Sequence, residues 1–151
     1  MRVETNRLVQ ADTGFWIALY DKSDQHHDEA MKIMGQSALG RFLFPWPLHY
    51  ELLRTRFVRR AGWVESFLSV IKQQRIQTVD DVPYREQALQ SAMDWARNSK
   101  RSISLVDMVV RLVLSDPQHR IYELITFNPR GLFGCLPRPG DSPATREAWI
   151  V

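Results

Sequence analysis

One segment near the N-terminus indicates the architecture of the chain: Leu8-Val9-Gln10-Ala11-Asp12-Thr13-Gly14-Phe15-Trp16-Ile17-Ala18-Leu19-Tyr20. Its first residues have the character of a short strand, and an apolar helical segment follows Asp12. Thr13 is a suitable capping residue for that helix. In an open α/β sheet, ligands bind beyond the carboxyl ends of the strands, so we expect Asp12 to project into that crevice.

The composition is typical of one globular domain. The 151 residues are 44% apolar and 25% charged, close to the averages of globular proteins. The formal charge of +3 is compatible with a polyanionic partner but does not demonstrate one. A single cysteine excludes an internal disulfide and a multi-cysteine zinc site. No long apolar run occurs, so we expect no membrane partner and a cytoplasmic setting.

Strands and helices are predicted to alternate along the chain. The predicted strands cover residues 7–11, 41–44, 76–79 and 121–127. Among the segments between them, Pro47 is expected to begin a helix over about 47–60. This alternation predicts a parallel sheet with helices on both faces. The domain is expected to cover residues 1–133, and 134–151, rich in glycine and proline, is expected to be an irregular tail.

Four polar residues are predicted to reach one edge of this sheet. Asp12 and Asn128 follow strands, while Glu51 and Asp107 lie in the first turns of helices. Such an acidic pocket suits Mg²⁺, which can align a water for in-line attack. Each residue also has an ordinary structural explanation: a helix cap for Asp12 and Asp107, a solvent-facing position for Glu51, and a turn for Asn128.

The chain resembles PIN-domain ribonucleases of the VapC toxin type in several motifs that occur in the same order. Asp12 to Leu19, followed by Asp24-Gln25-His26-His27, resembles the start of that family. Tyr50-Glu51-Leu52-Leu53 resembles its second acidic position, Ser104-Leu105-Val106-Asp107 its third, and Leu124-Ile125-Thr126-Phe127-Asn128 the strand before its fourth. The resemblance covers residues 7 to about 133.

This resemblance implies a metal-dependent endoribonuclease in which Asp12, Glu51 and Asp107 hold Mg²⁺ or Mn²⁺. It also implies a PIN-like sheet of four to five strands in the order 3-2-1-4, a homodimer, and an antitoxin partner that blocks the site. Asn128 departs from the family pattern because an aspartate is usual there. The site therefore lacks one negative charge, and we expect a second ion to bind more weakly.

Two further interpretations concern nucleic-acid contact and function. Near a carboxylate site, Arg54 and Arg56 would contact the RNA backbone, and Thr13 is a third candidate for that role; the alternative for the arginines is a charged solvent face. The alternative function is a catalytically weak PIN-like module that binds RNA or a protein, which Asn128 favours. A flavodoxin-like nucleotide-binding domain lacks support because no glycine-rich phosphate loop follows the first strand.

Overall fold

The computed structural model describes residues 8–36, 41–99, 103–127 and 149–150. Within these ranges the elements follow the order β1 (Leu8–Ala11), α1 (Thr13–Tyr20), α2 (His27–Met34), β2 (Arg41–Pro45), α3 (Trp46–Leu53), α4 (Ala61–Lys72), β3 (Ile76–Val79), α5 (Arg85–Ser99), α6 (Leu105–Ser115), β4 (Ile121–Ile125) and β5 (Trp149–Ile150). Short 3₁₀ helices cover Arg56–Arg59 and Val82–Tyr84. No helix in the described ranges is long and apolar enough to cross a membrane.

The strands form one parallel sheet in the order β3-β2-β1-β4-β5. β1 lies at its centre, where Val9 is opposite Phe42 on β2 and Glu123 on β4. The predicted α/β class and the order 3-2-1-4 are therefore confirmed. Because the strands are parallel, their carboxyl ends share one edge of the sheet, and Asp12 follows β1 at this edge.

Both faces of the sheet are covered by helices, as β2 shows. Successive residues of a strand point to opposite faces. Phe42 and Phe44 belong to a large apolar cluster that includes side chains of α1 to α4, whereas Leu43, between them, belongs to a smaller cluster with side chains of α5 and α6. Trp16 lies at the centre of the large cluster, with its ring centroid 5.1 Å from that of Phe42.

Gln10 is the polar exception in the central strand. Its side chain is fully buried, and neither atom of its amide has a hydrogen-bond partner among the described residues. An unsatisfied buried amide destabilises a fold by about 1–3 kcal/mol. The apolar packing of its neighbours in β1, Val9 and Ala11, keeps this strand in place despite that cost.

Two predicted segments differ from the structure. The helix expected over 47–60 ends at Leu53, because Thr55 adopts an extended backbone and its hydroxyl accepts a hydrogen bond from the Phe57 N–H, which begins a separate 3₁₀ helix. Most of the tail 134–151 lies outside the described residues, so the division at 133 stays a prediction. Its end is not irregular, however: Trp149–Ile150 forms β5, and a two-residue strand has too few residues to show a periodic pattern.

Candidate active site at the carboxyl edge of the sheet

Asp12 occupies the turn from β1 into α1. Its backbone N–H donates to the carbonyl of Ile125, 3.1 Å away, so the residue continues the pairing with β4. Its side chain caps α1, since Oδ1 accepts a hydrogen bond from the Phe15 N–H at 2.9 Å. Asp12 rather than Thr13 is therefore the N-cap of this helix.

The second carboxylate oxygen of Asp12 is also held. The hydroxyl of Thr126, directly after β4, donates a short hydrogen bond to Oδ2. Gly14 leaves room for the Asp12 carboxylate, because a Cβ at position 14 would lie only 3.3 Å from Asp12 Oδ1. Thr126 was not predicted as a site residue; the signal available in the sequence was its place in the Leu124 to Asn128 motif.

Glu51 reaches the same region from α3, which begins directly after β2. Thr13 in the first turn of α1 donates from its hydroxyl to Glu51 Oε2 at 2.5 Å. Thr13 itself is buried. The contact joins two segments that are 38 residues apart in sequence and turns the Glu51 carboxylate towards the end of β1.

Asp107 lies in the first turn of α6, where Ser104 is the N-cap. The Ser104 hydroxyl accepts a hydrogen bond from the Asp107 N–H at 2.9 Å, as the Ser-x-x-acid pattern predicts. The carboxylate of Asp107 makes no hydrogen bond or ion pair with another described residue. Its side chain is partly exposed, so it is free to reorient towards the site.

The pKa of Asp12 reflects its burial, its hydrogen bonds and the two neighbouring carboxylates. Burial raises the pKa of Asp12 above its ordinary value, hydrogen bonds from Thr126 and from the Phe15 N–H lower it, and the charges of Glu51 and Asp107 raise it again. Such repulsion between carboxylates is relieved by a cation, and carboxylate oxygens are the ligands that Mg²⁺ prefers. The donor chemistry therefore fits a hard divalent ion.

The candidate residues that the structure describes are of the right chemical type for a metal ion, but their side chains are not arranged around one position. In the described ranges, no group of three or more His, Cys, Asp or Glu side chains is arranged so that it could hold a metal ion. Thr126 and Thr13 each engage one carboxylate oxygen, on Asp12 and Glu51 respectively. The assignment of metal ligands to Asp12, Glu51 and Asp107 stays a prediction.

The remaining candidates differ in their surroundings. Arg54 is exposed and forms no ion pair within the described part of the chain. Arg56 instead binds Asp21, with 2.8 Å between Nη2 and Oδ2, and lies 3.7 Å from Asp24. Asn128 lies outside the described residues, so its part in the site stays a prediction.

Sequence comparison and structure comparison give different results for this chain. No protein-family model matches the sequence. No curated protein matches it either. Among solved structures, the chain is similar to Mycobacterium tuberculosis VapC20, a sarcin–ricin loop cleaving toxin, with a TM-score of 0.61 and 20% sequence identity. The match covers 83% of this chain and 94% of the VapC20 chain. The chain has a VapC-like fold. The fold expected from the resemblance to VapC-type PIN domains is thus confirmed.

Proposed function

We propose that this protein is a Mg²⁺- or Mn²⁺-dependent endoribonuclease, with Asp12, Glu51 and Asp107 as its metal-binding residues. The observation that carries the proposal is the buried Asp12 carboxylate at the carboxyl edge of a VapC-like sheet, where the Phe15 N–H and the Thr126 hydroxyl hold it and the charges of Glu51 and Asp107 raise its pKa. A buried acid with a raised pKa at the ligand-binding edge of an α/β sheet, as Asp12 is, is typical of a functional site.

The residues of the chain have distinct tasks in this proposal. Asp12 is preorganised, because the Phe15 N–H and the Thr126 hydroxyl fix both of its oxygens. Thr13 orients Glu51, and Asp107 completes the set by turning towards the ion. A metal ion held by these residues would supply activation of a water for attack on a phosphodiester and stabilisation of the leaving oxygen. Arg54, which is exposed, would contact the RNA backbone.

The biological setting is proposed by analogy with VapC20, whose fold this chain shares. We propose that the protein is the toxin of a toxin–antitoxin pair that acts in the cytoplasm. A homodimer and a cognate antitoxin that covers the carboxylate edge belong to the same proposal. An RNA that carries the sarcin–ricin loop is the first substrate to test, because VapC20 cleaves this target.

The test is cleavage of that RNA by the purified protein, with Mg²⁺, with Mn²⁺ and with a chelator. Asp12→Asn should abolish cleavage, because the change removes a charge from the metal-binding group while Asn still caps the helix. Glu65→Gln is the matched control, since Glu65 is an exposed carboxylate on α4. Cleavage that Asp12→Asn leaves unchanged, or that persists without divalent ions, would contradict the proposal.

The alternative is a PIN-like module that binds RNA or a protein with little catalysis. The observation that favours it is the absence of a ready three-ligand group among the described residues, together with Asn128 in place of an acid. This module would bind RNA equally well with and without Asp12→Asn and would cleave none of it. The same assay, read beside RNA binding, therefore separates the two functions.

A further inference from the structure

Three aromatic side chains lie on the outer surface of α3, and we call them the α3 aromatic face: Trp46, His49 and Tyr50. Trp46 is 44% exposed and Tyr50 is 63% exposed. The ring centroid of Trp46 lies 5.0 Å from that of His49 and 6.1 Å from that of Tyr50. The rings of Trp16, Phe15 and Phe42, by contrast, are completely enclosed in the core.

The helix itself explains why these rings remain outside. Leu48 and Leu52 occupy the inner side of α3, where each is only 2% exposed. Trp46 and Tyr50 are four residues apart, so they share one face of the helix. The edge of His49 packs against the buried Phe44 ring, with centroids 4.5 Å apart. The face is thus anchored to the core at one point and open to solvent at the others.

The position of this face relative to the candidate active site follows from helix geometry. At 3.6 residues per turn, Arg54 lies about 60° around the helix axis from Glu51, with Tyr50 and Trp46 each about 40° further in the same direction. The surface that α3 forms with Arg54, its C-cap residue, thus carries a carboxylate, then a guanidinium, then two exposed rings. Arg54 has no ion-pair partner in the described ranges and is available to an external anion.

This order of groups complements one nucleotide step of single-stranded RNA. We propose that the α3 aromatic face stacks an unpaired base of the RNA next to the phosphate that is cleaved, while Arg54 binds an adjoining phosphate. This inference rests on the proposed function and extends it to how the substrate is held. Exposed aromatic rings beside a cation are the usual means of binding unstacked bases, and stacking tolerates different sequences.

The groups around this face match the two parts of a nucleotide. The exposed rings offer stacking surfaces, and the face adjoins the exposed Arg54 and, beyond it, the acidic site. His49 adds a polar ring nitrogen that lies 3.5 Å from the Thr78 hydroxyl. The rings thus form part of a mixed polar and aromatic surface, which suits the base and phosphate of a nucleotide together.

The test measures binding of a short unstructured RNA in the Asp12→Asn background, so that the RNA stays intact. Fluorescence anisotropy is recorded for this RNA and for one with abasic nucleotides at successive positions. Trp46→Ala and Tyr50→Ala should each weaken binding of the intact RNA about tenfold, whereas Trp46→Phe and Tyr50→Phe should retain most of the affinity. With the abasic position at the stacking site, the alanine variants should match their parent.

Leu89→Ala is the matched control, because Leu89 is a 50% exposed apolar residue on α5, outside the proposed face. Unchanged affinity in both alanine variants, while the wild-type protein cleaves RNA, would overturn this inference alone. Loss of a dimer in sedimentation with unchanged RNA affinity would also overturn it, since the face would then be a protein interface. A wild-type protein that neither binds nor cleaves RNA would overturn the proposed function and this inference with it.

Discussion

The two halves of the candidate site differ in how firmly their side chains are held. In the half formed by β1 and β4, the Phe15 N–H and the Thr126 hydroxyl fix both oxygens of Asp12. In the half formed by α3 and α6, Glu51 is held by one hydroxyl, and Asp107 is held by no described residue. The strand half is therefore preorganised, and the helix half is adjustable.

This difference explains why the site has carboxylates suited to a metal ion but, among the described residues, no group of them arranged to hold one. Strand ends are fixed by the sheet, whereas a carboxylate in the first turn of a helix keeps its side-chain rotations. Coulombic repulsion from Asp12 favours orientations of the Asp107 carboxylate that point away from it. A divalent ion would offset that repulsion. We therefore expect Asp107 to turn towards the site only when an ion binds.

Asp107→Asn tests the adjustable half and should have a larger effect than the substitutions at Ser104 and Thr126. The change keeps the shape of the side chain but removes a charge that the metal would need, so cleavage should fall by about 10²–10³-fold, as when a group that stabilises transition-state charge is lost. The melting temperature should stay the same, because the carboxylate makes no hydrogen bond in the described structure. RNA cleavage and thermal denaturation measure the two quantities.

Ser104→Ala is the control for this change, since it removes the cap of the same helix turn. It should lower the free energy of unfolding by about 1 kcal/mol and leave most of the cleavage activity. Unchanged cleavage in Asp107→Asn would remove the helix half from the site. A large loss of stability in that variant would show that Asp107 is structural.

Thr126→Val tests the preorganised half and should have an intermediate effect. The two side chains have nearly the same shape, but valine cannot donate to Asp12. The free energy of unfolding should fall by about 1.5–3 kcal/mol, the usual contribution of a hydrogen bond to a charged group. Cleavage should fall by about 10–100-fold, as for other groups that orient a metal ligand. Denaturant titration and the cleavage assay measure these losses.

The pH profile adds a signature that general destabilisation would not give. The Thr126 hydrogen bond lowers the pKa of Asp12, so its loss should move the acidic limb of the cleavage profile to higher pH. Thr126→Ser keeps the hydroxyl and should restore both the profile and most of the rate. A profile that stays in place in Thr126→Val would show that this hydroxyl does not tune Asp12.

Sequence patterns predicted the strands β1 to β4 better than they predicted the end of α3 and the short strand β5. The parallel sheet follows from short strand-like runs that alternate with helices, whereas the order 3-2-1-4 followed from the resemblance to VapC-type PIN domains. The end of α3 at Leu53 was missed because the polar segment around Thr55 also fits an exposed helix face. β5 was missed because the partner strand, rather than local periodicity, defines two residues as a strand.

Within the site, the sequence did not indicate which side chains hold the candidate carboxylates. The charges of Glu51 and Asp107 raise the pKa of Asp12, and the assignment of the three residues to one metal site stays a prediction. The contacts of Thr13 with Glu51 and of Thr126 with Asp12 join segments far apart in the chain. Such pairings depend on side-chain orientation in the folded state. No spacing rule along the sequence encodes that orientation.

The smallest expected effect is on stability, and it compares Asp12, the carboxylate that is held on both oxygens, with asparagine at the same position. Because burial raises the pKa of Asp12 above 3.8, the folded protein binds this proton more tightly than the unfolded chain does. The resulting stabilisation is complete below the unfolded pKa and is lost as the pH rises through the folded pKa. Asp12 therefore destabilises the metal-free protein at neutral pH.

Asp12→Asn removes this penalty while the amide oxygen continues to cap α1. We expect the variant to melt a few degrees above the wild-type protein at pH 7 in a chelator, and the difference to shrink as the pH falls below the folded pKa of Asp12. Added Mg²⁺ should raise the melting temperature of the wild type only, because binding to the folded state stabilises it.

Glu65→Gln, on the exposed surface of α4, should show neither effect. A variant that melts below the wild type at pH 7 would show that the hydrogen bonds to Asp12 outweigh its burial and repulsion. The fixed half of the site would then stabilise the fold even without a metal ion.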